Sequence, residues 1–153
     1  MSEKFAYEGQ IAIYKANSKK TGSAAQFKIA KDKRCMFLEM AKQLDDKAFD
    51  WGNKIVIKLG ETDISKMLAL FNGSWPISMN AKEADLKLFH ENSKGNKIIN
   101  FKKQTNPQYP GFYMSVSVSE GELKDKIAIP LSPDEIELIK IGLTKAIECI
   151  LGW

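Results

Sequence analysis

Alternation of apolar and polar residues dominates the first sixty positions. Residues 10–14 (QIAIY) place Ile11 and Ile13 on one side of a strand. A polar Lys/Gly stretch over 17–23 follows and reads as a hairpin loop. Residues 24–31 put Phe27 and Ile29 on one face and Gln26 and Lys28 on the other, and Asp32-Lys33 marks a tight turn. Residues 34–41 set Met36, Leu38 and Met40 against Cys35, Phe37 and Glu39. Residues 53–59 turn Ile55, Ile57 and Leu59 inward and Lys54 and Lys58 outward. The period then changes from two to 3.6. Ile64, Met67, Leu68 and Phe71 recur at helical spacing and Gly73 follows as a helix stop, which predicts a helix over 62–72. A loop holding Trp75-Pro76 leads to strands at 86–91, 97–103, 111–119 and 125–131. Ser132, with Pro133 next and Glu135 three residues on, opens a last helix with a capping box. Its apolar face carries Ile136, Ile139, Leu143, Ala146, Ile147 and Ile150.

The two halves echo each other. A shift of 72 residues lays Ile55, Ile57 and Leu59 on Ile127, Ile129 and Leu131, and Asp63, Ile64, Met67 and Phe71 on Glu135, Ile136, Ile139 and Leu143. Each half reads β-β-β-β-α, its last strand running straight into an amphipathic helix. The expected fold class is α+β: two antiparallel four-stranded sheets with helices between or beneath them, in one domain over 1–153 whose halves span about 8–73 and 84–153.

Composition adds exclusions. At 153 residues with 44% hydrophobic and 27% charged content, the chain has the make-up of an ordinary globule. No apolar run approaches the roughly 18 residues of a membrane span. The start, MSEKFAYEGQ, lacks the marks of a secretory or transit segment, so the protein is expected in the compartment where it is made, the cytoplasm. Cys35 and Cys149 sit in apolar runs without CxxC or Cys/His spacing, which reads as two reduced buried thiols and no metal site. No phosphate-loop, dinucleotide or hydrolase motif occurs, and His90, the single histidine, has no sequence neighbour to orient it. Neither an enzyme nor a cofactor is expected.

Charge changes the picture more. The net charge is +4, and Arg34 is the lone arginine among 23 basic residues. Residues 1–31 carry six lysines and two glutamates, and residues 87–103 five lysines and one glutamate, +4 in each. Residues 120–148 carry four lysines and seven acids. Lysine acts as a point charge where arginine reads bases bidentately, so a polyanion partner would be gripped by its backbone. On the outward strand faces the lysines sit beside rings and amides: Tyr14 with Lys15, Gln26 with Lys28, Phe37 beside Glu39, then Trp51 with Lys54 and Lys58. Lys19 and Lys20 crown the first loop. In the second half Lys97, Asn100, Phe101 and also Phe89 join the set. Rings beside lysines on a sheet suit single-stranded nucleic acid, whose unpaired bases stack on the rings while lysines follow phosphates. The same rings would equally suit packing between subunits.

These segments resemble the whirly family of single-stranded-DNA-binding proteins, relatives of the positive-cofactor transcriptional coactivators. Phe27-Lys28-Ile29-Ala30-Lys31-Asp32 with Met36-Phe37-Leu38-Glu39-Met40-Ala41 is similar to the family's second hairpin. Phe49-Asp50-Trp51, Lys54-Ile55-Val56-Ile57-Lys58-Leu59 and Thr62-Asp63-Ile64 resemble its "YDW…K-x-V-F-x-L…TEI" stretch. Leu88-Phe89-His90 resembles "FFH", Ile129-Pro130-Leu131 "YIP", and Leu151-Gly152-Trp153 the closing "LGW". The resemblance implies two four-stranded sheets with a helical kernel, a tetramer assembled through the helices, and DNA running along the sheets and between protomers with little sequence preference. The plant members' KGKAAL motif is replaced by Tyr14-Lys15-Ala16-Asn17-Ser18-Lys19, so the higher assemblies it supports are not expected. The missing transit segment fits a prokaryotic or phage protein. Expected roles are replication, repair, recombination or transcription. The alternatives are a single-stranded or guide-RNA binder, since no reader of the 2′-hydroxyl is evident, and an oligomeric transcription regulator that recruits a protein through its helical face.

Overall fold

The computed structural model describes residues 9–153; the N-terminal segment examined for targeting signals, with Lys4, lies outside the described residues. The first half forms β1 (Gln10–Lys15), β2 (Ser23–Ala30), β3 (Cys35–Asp45), a two-residue β4 (Ala48–Phe49), a 3-10 turn (Trp51–Asn53), β5 (Ile55–Leu59) and α1 (Glu61–Phe71). The second half forms β6 (Leu86–Asn92), β7 (Gly95–Lys103), β8 (Phe112–Glu120), β9 (Leu123–Leu131) and α2 (Pro133–Leu151).

Both sheets are antiparallel. The first runs β1-β2-β3, and β4 and β5 share the far side of β3, β5 against Met36–Met40 and β4 against Gln43 and Asp45, with a register shift between those two. The second runs β6-β7-β8-β9. The period-two pattern predicts four strands in the first sheet; β4 is the addition, too short to leave a periodic trace.

One apolar core joins the halves. Phe27, Met36, Leu38, Met40, Ile57 and Leu59 from the first sheet meet Ile99, Phe101, Met114, Val116 and Ile129 from the second, with Ile64, Met67, Ile139 and Leu143 from the helices. Asn72 caps α1 and Gly73, at φ +86°, takes the left-handed turn that a side chain would resist. At α2 the Glu135 carboxylate accepts the Ser132 backbone N–H at 2.9 Å, closing the capping box. The sheets are also tied at their edges: Ser23 Oγ donates to the Ala128 carbonyl at 2.6 Å, and Lys42 pairs with Asp125 at 2.5 Å.

Two long-range polar pins organise the loops. Gln43, buried, accepts the Asn17 and Gly22 N–H groups on Oε1 and donates from Nε2 to the Asn17 and Asp45 carbonyls, all at 3.0 Å, which fixes the first hairpin loop. Asp85, buried, accepts the Ser78 N–H at 2.8 Å and the Lys103 N–H at 2.5 Å and pairs with Lys102 at 3.2 Å. Trp75 Nε1 donates to the Asp85 carbonyl at 2.9 Å. Trp75 is therefore the anchor of the 72–85 loop. Burial pushes the Asp85 carboxyl up, and the two backbone donors and Lys102 overcome this, leaving it below the ordinary aspartate value.

Cys35 is buried and Cys149 half-buried, both free thiols. No described helix is long and apolar enough to cross a membrane.

Candidate nucleic-acid interface

Strand register assigns every outward residue, because partners opposite each other share a face. On the first sheet one row reads Gln10, Lys28, Phe37, Lys58 across β1, β2, β3 and β5. The next row reads Ala12, Gln26, Glu39, Val56, and the third Tyr14, Ala24, Ala41. Phe37 is half-buried between two lysines of its own row, and Lys33 Nζ lies 5.8 Å from its ring centroid. Gln26 and Lys28 are likewise half-buried and Lys58 is exposed. The predicted outward set Gln26, Lys28, Phe37, Glu39 and Lys58 is thus brought together on one face.

Glu39 is the unusual member. It is 8% exposed, with Lys28 Nζ 2.9 Å from Oε1 and Lys54 Nζ 3.2 Å from Oε2. Burial pushes its carboxyl up; hydrogen bonds and charge from Lys28 and Lys54 more than reverse this and hold it below the ordinary glutamate value. The carboxylate therefore positions two lysines and neutralises part of their charge.

At the other end of this sheet Tyr14, 55% exposed, packs its ring 5.5 Å from that of Phe49. Lys19 and Lys20 are exposed in the adjacent loop, Lys20 lying 3.3 Å from Asp45. Trp51 is half-buried in the 3-10 turn rather than on a strand.

Three expected contact residues face elsewhere. Lys15 shares the parity of Ile11 and Ile13, so it points to the inner side and pairs with Glu135 at 2.7 Å. Lys97 shares the parity of Ile99 and Phe101; its Nζ crosses to the first sheet and donates to the Val56 carbonyl at 2.7 Å, capping the exposed edge of β5. Phe101 is 0% exposed and stacks edge-to-face on Phe71 at 5.7 Å, so it is core and offers no platform.

Asn100 and Phe89 do face outward, and with them come Lys102, Tyr113, Ser115, Ser117 and Lys126, which the sequence reading did not single out. The outer rows of the second sheet are Lys87–Asn100–Ser115–Ala128, Phe89–Ile98–Ser117–Lys126, and Lys102–Tyr113–Pro130. Phe89 is 63% exposed with Lys87 Nζ 5.7 Å from its ring centroid, and Tyr113 is exposed. Lys87, Asn100, Lys102, Tyr113, Ser115 and Lys126 line an open hollow of about 660 Å³ walled by the 81–84 segment. Strict alternation outward from Leu86, Leu88, Ile99 and Phe101 is the signal that finds this face.

His90 lies 3.0 Å from Asp63, whose carboxylate also accepts the Gly60 N–H at the start of α1. This ties the second sheet to the first helix and brings no nucleophile near. Among the described residues no group of three acidic, histidine or cysteine side chains is placed to hold a metal.

Comparison with known proteins follows the same outline. No curated protein sequence matches. Solved structures do. The plant transcriptional regulator PBF-2 is 19% identical, with 94% of this chain and 82% of that chain covered at a TM-score of 0.67. WHY3 from Arabidopsis thaliana is 17% identical over 96% of this chain and 90% of its own, TM-score 0.69. A guide-RNA-binding protein complex bound to a guide RNA is 12% identical over 100% and 99%, TM-score 0.68. These likenesses show the fold. The model of the family described as Whirly transcription factor matches residues 10–141, and the chain belongs to the Whirly family.

Proposed function

We propose that this Whirly-family protein binds single-stranded DNA with little sequence preference, lysines taking phosphates and rings stacking bases. The observation that carries the reading is the row Lys28–Phe37–Lys58, a ring between two lysines across three adjacent strands, with Gln26 and Glu39 in the next row. A ring so flanked offers a stacked base a phosphate contact on either side. Tyr14 and the Lys19/Lys20 loop extend the track at one end of the sheet, and Phe89, Tyr113, Lys87 and Lys126 supply the same ingredients on the second sheet.

The working form is a homotetramer built through the helices. Leu138 and Ile141, 49% and 62% exposed, stand on the side of α2 opposite its buried residues Ile139, Leu143 and Ala146. With Leu68 of α1, Ile141 is the apolar part of a groove otherwise walled by polar and charged side chains, Glu137, Lys140 and Glu148 among them, that a second copy would cover. DNA would then pass along the sheets and between protomers, in replication, repair, recombination or transcription in the cytoplasm.

Fluorescence polarisation of labelled oligo-dT, with unlabelled single strand and duplex as competitors, tests the reading. Single strand should compete far better than duplex of the same length. Equal competition would end the stacking mechanism, because bases in a duplex are already stacked on each other.

A further inference from the structure

The outer faces of the two sheets differ in chemistry. The first offers rings, lysines, two glutamines and the buried Glu39, and no aliphatic hydroxyl in any of its outward rows. The second carries Ser115, Ser117 and Ser119 on alternate positions of β8, so three hydroxyls point to one side at intervals of about 6.8 Å. Asn100 stands opposite Ser115 and Asn96 opposite Ser119 on one flank, and Lys126 and Lys124 stand opposite Ser117 and Ser119 on the other.

Hydrogen-bonding capacity separates these groups. A lysine only donates and therefore serves phosphates. A serine hydroxyl and an asparagine amide both donate and accept, as does the 2′-hydroxyl of a ribose, the group that tells RNA from DNA. A face made only for phosphates has no need of acceptors, yet the two central strands present five side chains that supply them. One is left wanting: Asn100 Oδ1 is buried without a hydrogen-bond partner, and a rotation of its amide would bring that unmet acceptor to the open side of the sheet.

We propose that the outer face of the second sheet is a ribose-reading surface, the half-exposed Ser117 and Ser119 with Asn96 taking successive 2′-hydroxyls of an RNA strand, the buried Ser115 with Asn100 flooring the row, while Lys124 and Lys126 hold the phosphates. The inference rests on the single-strand reading above and adds the sugar to it. DNA binding on the first sheet does not depend on it.

The test compares three 15-mers of one sequence, as DNA, RNA and 2′-O-methyl RNA, against the unmodified protein and the Ser117→Ala/Ser119→Ala double variant. Each hydrogen bond gained is worth roughly 2- to 12-fold in affinity, so RNA should bind at least about fivefold tighter than DNA. The 2′-O-methyl strand, which cannot donate, should fall back toward the DNA value, a result that needs no variant to fold. The double variant should lose most of the RNA advantage and keep its DNA affinity within about twofold, since only the neutral hydroxyls are removed. Equal affinity for RNA and DNA, or a 2′-O-methyl strand as tight as RNA, overturns the proposal and leaves DNA binding standing. An RNA advantage that survives the double variant removes these serines as its source. Failure of every strand to bind would instead refute the single-strand function itself.

Discussion

Replacing Glu39 with glutamine should strengthen DNA binding. The carboxylate sits nearly buried at the centre of the first-sheet face, 2.9 Å from the Lys28 ammonium and 3.2 Å from that of Lys54. Glutamine keeps the shape and one acceptor but not the charge, so the more exposed of the two ammonium groups, that of Lys54, becomes available to phosphates. For a single strand the affinity falls with salt by about 0.7 logarithmic units per phosphate neutralised, so one released lysine steepens the slope by about 0.7. Between 1 M and 0.1 M salt that amounts to about 5-fold in affinity, or about 1 kcal/mol. Folding stability should fall by about 1–3 kcal/mol, because the charge-assisted bonds from Lys28 and Lys54 are lost and the folded state favours the charged carboxylate. The assay is polarisation of labelled oligo-dT across a salt series, with a thermal melt of each protein alongside. If Glu39→Gln weakens binding with the fold intact, the carboxylate touches the bases and does not mask the lysines. An unchanged slope would show that Lys54 never meets phosphate.

Other substitutions separate platform, core and interface. Phe37→Ala should cost about 1–3 kcal/mol of oligo-dT affinity with the salt slope unchanged, which polarisation measures directly. Phe101→Ala should do the opposite, costing about 3–5 kcal/mol of stability by urea unfolding, with the affinity of the protein that remains folded preserved. Asp85→Asn should cost about 2–4 kcal/mol and free the 72–85 loop, seen as faster amide exchange at Ser78 and Lys103. Because the folded-state carboxyls of Asp85 and Glu39 lie below their ordinary values of 3.8 and 4.5, the stability they add is complete above those values and fades as pH falls through the lower folded ones. Unfolding midpoints from pH 6 to pH 2.5 should therefore drop less steeply for Asp85→Asn than for the parent; parallel profiles would contradict the assignment. Ile141→Glu should lower the solution mass measured by light scattering, and an unchanged mass would remove the α2 groove from the assembly.

The parity of apolar residues accounts for what was legible. Ile55, Ile57 and Leu59 alternate without interruption, and β5 and its outward Lys54 and Lys58 follow directly from them. The same rule, applied strictly, separates Asn100 from Phe101, since neighbours on a strand face opposite ways; grouping them by type as amide and ring hid this. Lys15 and Lys97 illustrate a different limit. Each sits at the inner-facing end of an apolar stripe, where a long side chain reaches out to a distant partner, Glu135 for one and the Val56 carbonyl for the other. Such partners lie far off in sequence and leave no local pattern. Gln43 and Asp85 are harder still. Each is a single buried polar residue that satisfies a loop formed elsewhere in the chain, and nothing in its neighbours marks it out. The second-sheet face needed the register of four strands before Ser115, Ser117, Asn100 and Lys126 could be placed side by side.

If the outer sheet faces hold the strand, with the helices turned away, backbone amide chemical shifts recorded with and without a short oligo-dT will show it. The largest changes should fall at Gln26, Lys28, Phe37, Glu39 and Lys58, with a second group at Phe89 and Tyr113 and little at Leu138 and Ile141. Changes concentrated on the outer side of α2, with the row through Phe37 unmoved, would move the binding surface to the helices and off the sheets.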